Sequence, residues 1–239
     1  MIGGEGPALI ERRALLTSFN LSPPSTALAA LAERLGEARA RVLQNCFVQA
    51  AAARALEARP LLAPVGLVYP AGSVGRAREL IDSRLPLWAV EGQNESERIA
   101  GAVERAFRGG ARLAIVIRCG FPDLPLAFVL SAARLLEKYD LVLGPAGRGR
   151  YCLLGLRVPA PELFVGVDAD AERALPVTLR RAAQAGLSTV YVPSWREVRD
   201  TDDLIRLQDR LHRSARHPDL VAAVGQALAG IGPAGDRSP

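Results

Sequence analysis

The stretch Gly144-Pro145-Ala146-Gly147-Arg148-Gly149-Arg150-Tyr151-Cys152-Leu153-Leu154-Gly155-Leu156 decides the fold. Together with Leu141-Val142-Leu143 before it, it reads as a strand, a glycine-rich turn carrying two arginines, and a second strand. A parallel crossover needs a dozen or more residues, so so short a turn forces the second strand to return antiparallel. Glycines at 147 and 149 let backbone approach a neighbour closely, and the guanidiniums of Arg148 and Arg150 supply fixed charge with forked donors. A loop of that composition suits an anion.

Outward from this hairpin, strands and helices alternate. Val65–Tyr69, Leu87–Val90, Leu113–Ile117 and Ser188–Val192 are apolar runs of strand length. Helices are expected over Ser73–Ser83, Leu126–Tyr139, Ala171–Ala185 and Thr201 or Asp202–Ser214, with a last amphipathic one over His217–Ile231. Asn94-Glu95-Ser96-Glu97 has capping-box chemistry, which starts a helix that runs to Phe107 and stops at Gly109-Gly110. A long alanine-rich segment to about Arg59 is expected to be N-capped by Ser25 or Thr26 and broken at Gly36. The pattern predicts an α/β fold, a Rossmann-like three-layer sandwich around a mostly parallel mixed sheet. Its expected bounds are a flexible start over 1–13, one domain over 14–231 and a disordered tail over 232–239.

Composition narrows the function classes. The chain has 239 residues, 49% of them hydrophobic, which is enough for a full core. No apolar run approaches the length of a spanning helix and the N-terminal residues lack signal-peptide order, so no membrane association and a cytoplasmic location are expected. The net charge of +5 is carried by arginine, since Lys138 is the only lysine, and the arginines are spread beside glutamates. That is unlike the basic, aromatic-laced stripe of a nucleic-acid binder, and no nucleic-acid partner is expected. Cys46, Cys119 and Cys152 have no zinc or disulfide spacing and read as packing residues; His212 and His217 read as a solvated helix end.

The hairpin sequence also resembles the Gly-Pro-Ala-x-Asp-Gly-Gly-Tyr-Tyr-Leu-x-Gly-Leu signature of a bacterial glycosyltransferase-like family with the GT-A nucleotide-diphospho-sugar fold, some members of which are linked to arsenosugar biosynthesis. The resemblance extends over most of residues 14–207. It implies four functional loops, after Leu16, Ile117, Leu143 and Val192, and in each this chain departs from the family pattern. The basic first loop is replaced by a segment around Asn20, Pro24, Ser25 and Leu28 with no lysine or arginine between Asn20 and Glu33. Gly-Asp-Leu-Gly-x-Arg becomes Gln93-Asn94-Glu95-Ser96-Glu97-Arg98, keeping Arg98. Gly-x-Asp-x-Pro-x-Leu, whose carboxylate would meet a divalent cation, becomes Arg118-Cys119-Gly120-Phe121-Pro122-Asp123-Leu124, with Gly120 at the metal position and Asp123 expected to cap the next helix. Asp-x-Asp-Thr-x-x-Asp-Leu becomes Glu197-Val198-Arg199-Asp200-Thr201-Asp202-Asp203-Leu204, and Leu163-Phe164 leads to Asp168 and Asp170 without the family's Trp-Thr pair.

Carboxylates or small residues around the expected metal site have thus become Arg118, Arg148, Arg150 and Arg199. Two guanidiniums at about 5 Å repel by about 3 kcal/mol at an effective dielectric of about 20, so an anion or carboxylate should sit between any pair that shares a pocket. The candidate anion- or nucleotide-binding set is Arg98, Arg118, Gly120, Gly147, Arg148, Gly149, Arg150 and Arg199, with no metal ligand, no divalent metal required and no assigned catalytic residue. The resemblance leaves three readings: a non-catalytic domain that binds a nucleotide sugar or another anionic small molecule, a metal-independent glycosyl- or nucleotidyltransferase that uses Arg148 and Arg150 to neutralise a leaving diphosphate, and a structural subunit of an active protein partner. Asp123, Glu197 and Asp200 are the carboxylates within reach of such a site.

Overall fold

The computed structural model describes residues 13–23, 28–167, 171–214 and 218–229. Ser25, Thr26, Asp168, Asp170, His217 and the tail from 232 lie outside them, as does all of the N-terminal segment but Arg13.

The strands are β1 (Arg13–Asn20), β2 (Ala63–Tyr69), β3 (Leu87–Ala89), β4 (Leu113–Arg118), β5 (Leu141–Ala146), β6 (Arg150–Leu156) and β7 (Thr189–Tyr191). They form one sheet in the order β3-β2-β1-β4-β6-β5-β7, parallel except for β6, which runs antiparallel to both neighbours. The short turn between β5 and β6 therefore does what its length requires.

Eight helices cover the sheet among the described residues: α1 (Ala29–Leu35), α2 (Glu37–Glu57), α3 (Val74–Leu80), α4 (Glu95–Arg108), α5 (Leu126–Leu135), α6 (Ala174–Gln184), α7 (Thr201–Ser214) and α8 (Pro218–Leu228). Period-two alternation divides the sheet's faces. Leu113, Ile115 and Ile117 of β4 pack with α2 and α5 on one side, and Ala114 and Val116 pack with α4 and α6 on the other. A further apolar layer joins α1, α2, α7 and α8 through Leu31, Leu43, Phe47, Leu204, Leu207 and Leu220. Helix α2 is buried on both sides, hence its run of alanines.

Gly36 separates α1 from α2 with φ at 84°, a left-handed backbone that glycine adopts without strain. Several expected bounds change, α3 among them, which stops at Leu80 instead of Ser83. Arg13 belongs to β1 and pairs with Glu137 at 2.8 Å rather than to a flexible start. Helix α5 stops at Leu135 instead of Tyr139, because the chain turns there to bring Asp140 against Ser188. Helix α6 begins at Ala174, three residues late. No helix of the described residues is long and apolar enough to cross a membrane.

Candidate functional site

The carboxyl ends of β1, β4 and β5 and the amino end of β6 meet at one rim of the sheet. Alternation along β1 puts Ser18 on the same face as Ala14 and Leu16, and along β4 it puts Arg118 with Ala114 and Val116; the two are register partners. Both therefore face the start of α4. There Asn94 is the N-cap, accepting from the Glu97 backbone N–H at 3.0 Å, while the Glu97 carboxylate accepts from the Gln93 N–H at 2.8 Å. The cap fixes Glu95 as the first helical residue, where the helix dipole favours a negative charge.

Glu95 is buried and takes the Ser18 hydroxyl at 3.1 Å, Arg118 Nε at 3.1 Å on the same oxygen, and Arg118 Nη2 at 2.8 Å on the other. A second carboxylate arrives from a segment without regular structure that crosses the rim from β7 to α7. The Trp195 N–H donates to the Pro145 carbonyl and the Val198 N–H to the Gly120 carbonyl, each at 3.0 Å, so Glu197 is held over the gap between β4 and β6. Its carboxylate accepts from Arg150 Nε at 2.8 Å and lies 3.7 Å from Arg118 Nη2 and 3.6 Å from Arg199 Nη1. The side chains of Glu95, Arg118, Arg150 and Glu197 are 4–7% exposed, and that of Arg199 is 22% exposed. Burial pushes the Arg150 pKa below its ordinary value, and Glu197 pulls it back up.

The rim therefore brings four of the predicted residues together, Arg118, Gly120, Arg150 and Arg199, around a carboxylate of the chain itself. Gly120 is the pivot. A Cβ there would lie 3.1 Å from Glu197 Oε1 and 3.3 Å from its Cγ, so Glu197 fills the space a side chain at 120 would use.

The other four candidates stand apart. Arg148, at the tip of the β5–β6 turn, is exposed and pairs with Asp200 at 3.0 Å. Burial raises the Asp200 pKa, but the Asp203 N–H and the Arg148 guanidinium outweigh it and hold the carboxyl below its usual range. Gly147 faces open space, whereas a Cβ on Gly149, whose φ is 69°, would sit 1.8 Å from the Glu172 carbonyl oxygen. The close approach that Gly149 permits is thus to the lead-in of α6, which it also anchors through its carbonyl and the Leu175 N–H at 2.8 Å. Arg98 leaves the cluster and stacks over the Tyr69 ring, 4.5 Å from its centroid.

Asp123 does not cap α5, whose N-cap is Pro125 with no side-chain bond. It accepts instead from Trp195 Nε1 at 3.1 Å and from Arg210 Nε and Nη2 at 2.6 and 3.2 Å, because the rim segment and α7 pack against it. Trp195 meets Phe128 edge to face, with centroids 5.5 Å apart. An open cleft of about 500 Å³ lies beside this cluster, lined by Ala146, Gly147, Ser194, Trp195, Arg196 and Arg210. Cys119 and Cys152 sit near the rim, and burial pushes their thiols up to about 11 and about 12, so both stay protonated at neutral pH.

Sequence reading missed Glu95, although the cap at Asn94 and the parity of Ser18 and Arg118 along their strands point to it. Glu197 was visible only as one of three carboxylates near the rim.

Residues 53–170 match the model of a family described as an uncharacterized protein conserved in bacteria (DUF2064), a span that holds Glu95, Arg118 and Arg150 but not Glu197 or Arg199. No curated protein matches the sequence. Among solved structures, a Desulfovibrio desulfuricans G20 protein provisionally assigned as a nucleotide-diphospho-sugar transferase superposes with a TM-score of 0.80 at 23% identity, covering 91% of this chain and 95% of that one. A cytidylyltransferase from Leptospira borgpetersenii gives 0.56 at 11% identity over 91% of this chain and 95% of its own. A CMP:2-keto-3-deoxy-manno-octonic acid synthetase complexed with CTP gives 0.55 at 10% identity over 85% and 99%. The chain has the nucleotide-diphospho-sugar transferase fold.

Proposed function

We propose that this protein is a non-catalytic member of the nucleotide-diphospho-sugar transferase superfamily, one that has exchanged the metal-dependent sugar-transfer centre for a self-neutralised arginine–glutamate cluster and retains at most anion binding. One observation carries the reading: the Glu197 carboxylate lies in the space beside Gly120 and is already paired with Arg150.

A hard divalent cation asks for several oxygen ligands. Gly120 offers only a carbonyl, and that carbonyl is committed to the Val198 N–H at 3.0 Å. Glu95 and Glu197 are committed to Arg118 and Arg150, and a cation placed among three guanidiniums would meet repulsion from each. These residues do not fit magnesium or manganese. The first loop supplies no cation for a diphosphate either, since no lysine or arginine stands between Asn20 and Glu33.

The metal-independent transferase reading needs Arg148 and Arg150 to act on one leaving group, yet Arg150 is turned inward to Glu197 and Arg148 outward to Asp200. The subunit reading needs a continuous apolar patch, while the exposed large hydrophobics, Val42, Leu61, Val165, Tyr191 and Ile205, are on different elements. The test is thermal unfolding with uridine-, guanosine- and cytidine-diphosphate sugars, each with and without magnesium or manganese, alongside an assay of sugar-nucleotide consumption. No metal-dependent stabilisation and no turnover are expected. Stabilisation that requires manganese, or turnover, would overturn the reading.

A further inference from the structure

Asp123 takes no part in the buried arginine–glutamate cluster, yet it holds two neighbouring side chains at once. Its carboxylate is 9% exposed and accepts from Trp195 Nε1 at 3.1 Å and from Arg210 Nε and Nη2 at 2.6 and 3.2 Å. Trp195 is fixed further by Phe128, edge to face with centroids 5.5 Å apart, and by its backbone N–H, which donates to the Pro145 carbonyl at 3.0 Å. An indole and a guanidinium are thus locked in one geometry. Both line the cleft of about 500 Å³ that opens beyond the carboxyl ends of β5 and β7, where open α/β sheets bind ligands, and its size suits a small molecule.

The donors of this cleft are uncommitted. Side-on pairing with Asp123 uses Nε and one hydrogen of Nη2 on Arg210, and it leaves the opposite edge, with Nη1, without a hydrogen-bond partner among the described residues. The Arg196 guanidinium makes no hydrogen bond among them either: it stands 3.6 Å from Asp203, and its side chain is 58% exposed. The Ser194 side chain is exposed and unbonded as well. A free surface arginine loses rotamer freedom when it grips an anion, whereas Arg210 has already lost it on folding.

The lining selects the ligand. Two forked guanidiniums and a hydroxyl recognise an oxyanion. Each guanidinium already faces one carboxylate of the chain, Asp123 or Asp203, so a single added negative charge suits the cleft better than two. The indole of Trp195 offers a flat apolar surface beside those donors, and at Gly147, where a Cβ would meet nothing within 4 Å, there is open room. We propose that this cleft binds a small carboxylate with a flat apolar body, its carboxylate on Arg196 and the free edge of Arg210 and its body against Trp195. The proposal gives a place and a ligand class to the anion binding that the non-catalytic reading allows, and it rests on that reading.

The experiment reads Trp195 fluorescence. The chain has two tryptophans, and Trp88 stands on β3, at the sheet edge opposite β7, so Trp88→Phe leaves Trp195 as the reporter without touching the cleft. That protein is titrated with benzoate, acetate and phenyl phosphate at constant ionic strength and without divalent metal. Benzoate should give a saturable change, and acetate, which lacks the flat body, should bind about tenfold more weakly. Arg196→Ala, at an exposed position where the fold is not at stake, should weaken benzoate about tenfold, as expected for the loss of a charge-assisted hydrogen bond. Arg210→Lys, which keeps the charge and loses the fork, should weaken it by a similar factor. A change that never saturates, a benzoate affinity unmoved by Arg196→Ala, or phenyl phosphate bound more tightly than benzoate would each overturn the proposal. None of these results bears on the non-catalytic reading, which fails only on metal-dependent stabilisation or turnover in the wild type.

Discussion

Each end of the sheet is tied by an ion-paired carboxylate, and the two ties are built oppositely. At the amino end Asp140, where β5 begins, accepts from the Ser188 hydroxyl at 2.5 Å, from the Ser188 N–H at 3.0 Å, and from Arg157, which follows β6. One carboxylate thereby joins β5, β6 and β7, with its charge matched and its partners near water. At the carboxyl end the carboxylates of Glu95 and Glu197 are buried with the guanidiniums of Arg118 and Arg150, and Arg199 Nη1 has no hydrogen-bond partner among the described residues. The amino-end knot is an economical way to hold three strands. The rim cluster pays desolvation for charges that apolar side chains of similar volume could have replaced, and that cost falls at the carboxyl end of the sheet, where open α/β sheets bind their ligands.

The contrast is broken most forcefully by Glu197→Ala. Removing one member of a buried cluster leaves Arg118 and Arg150 facing each other without the intervening charge, and the expected loss is about 3–5 kcal/mol in denaturant unfolding. A loss below about 1 kcal/mol would put the cluster on the same footing as a surface pair.

Next in size is Gly120→Asp, which places a carboxylate beside Glu197. Its Cβ would press on Glu197 at 3.1 Å, and overpacking of this kind costs about 1–3 kcal/mol. On the Glu197→Ala background the same substitution should stabilise, because the introduced carboxylate then enters the vacated space among the arginines. A double-mutant cycle checks this, and additive effects would show that positions 120 and 197 do not share one space.

How much of this the sequence disclosed follows from the range of the interactions. The antiparallel return of β6, the break at Gly36 and the capped start of α4 are all set by local composition and loop length, and all are legible. That arginines stand at strand ends is legible too, but whether they share one pocket is not. What answers them is not, because Glu197 reaches the cluster through a turnless segment whose path is fixed by single backbone bonds to distant residues, from Trp195 to Pro145, 50 residues back, and from Val198 to Gly120, 78 residues back. Gly149 misled for a similar reason: a left-handed glycine beside arginines suits an anion, but its near neighbour is the Glu172 carbonyl.

At the amino end, Asp140→Asn should cost about 1 kcal/mol at neutral pH, since its Arg157 partner is exposed and screened. The hydrogen bonds from Ser188 and Arg157 lower the Asp140 pKa from 3.8 to about 2. A depressed carboxyl stabilises the fold fully above its ordinary value and loses that contribution as pH falls through the folded one, so the gap between wild type and variant should close between about pH 4 and pH 2. Asp203, beside the rim, runs the other way: burial and then Asp200 raise its pKa, so its contribution declines as pH rises through the raised value. Unfolding curves on which Asp140→Asn shows a constant gap across acid pH would remove the electrostatic account of the knot.

The smallest effect is expected at Arg148, the candidate cation nearest to solvent. Its pair with Asp200 has side chains 53% and 35% exposed, and such a pair contributes about 0.5 kcal/mol or less. Its backbone works against it, for Arg148 is the one non-glycine residue with positive φ among those described, at 60°, a conformation that costs an L side chain about 1 kcal/mol. Arg148→Ala should therefore lose the weak pair and keep the strain, and Arg148→Gly should lose the pair and release the strain. The glycine variant is expected to unfold at or slightly above the wild-type midpoint and the alanine variant slightly below it. If Arg148→Gly instead cost as much as breaking a buried pair, about 3 kcal/mol or more, the division between a buried cluster and a solvated tip would have to be redrawn.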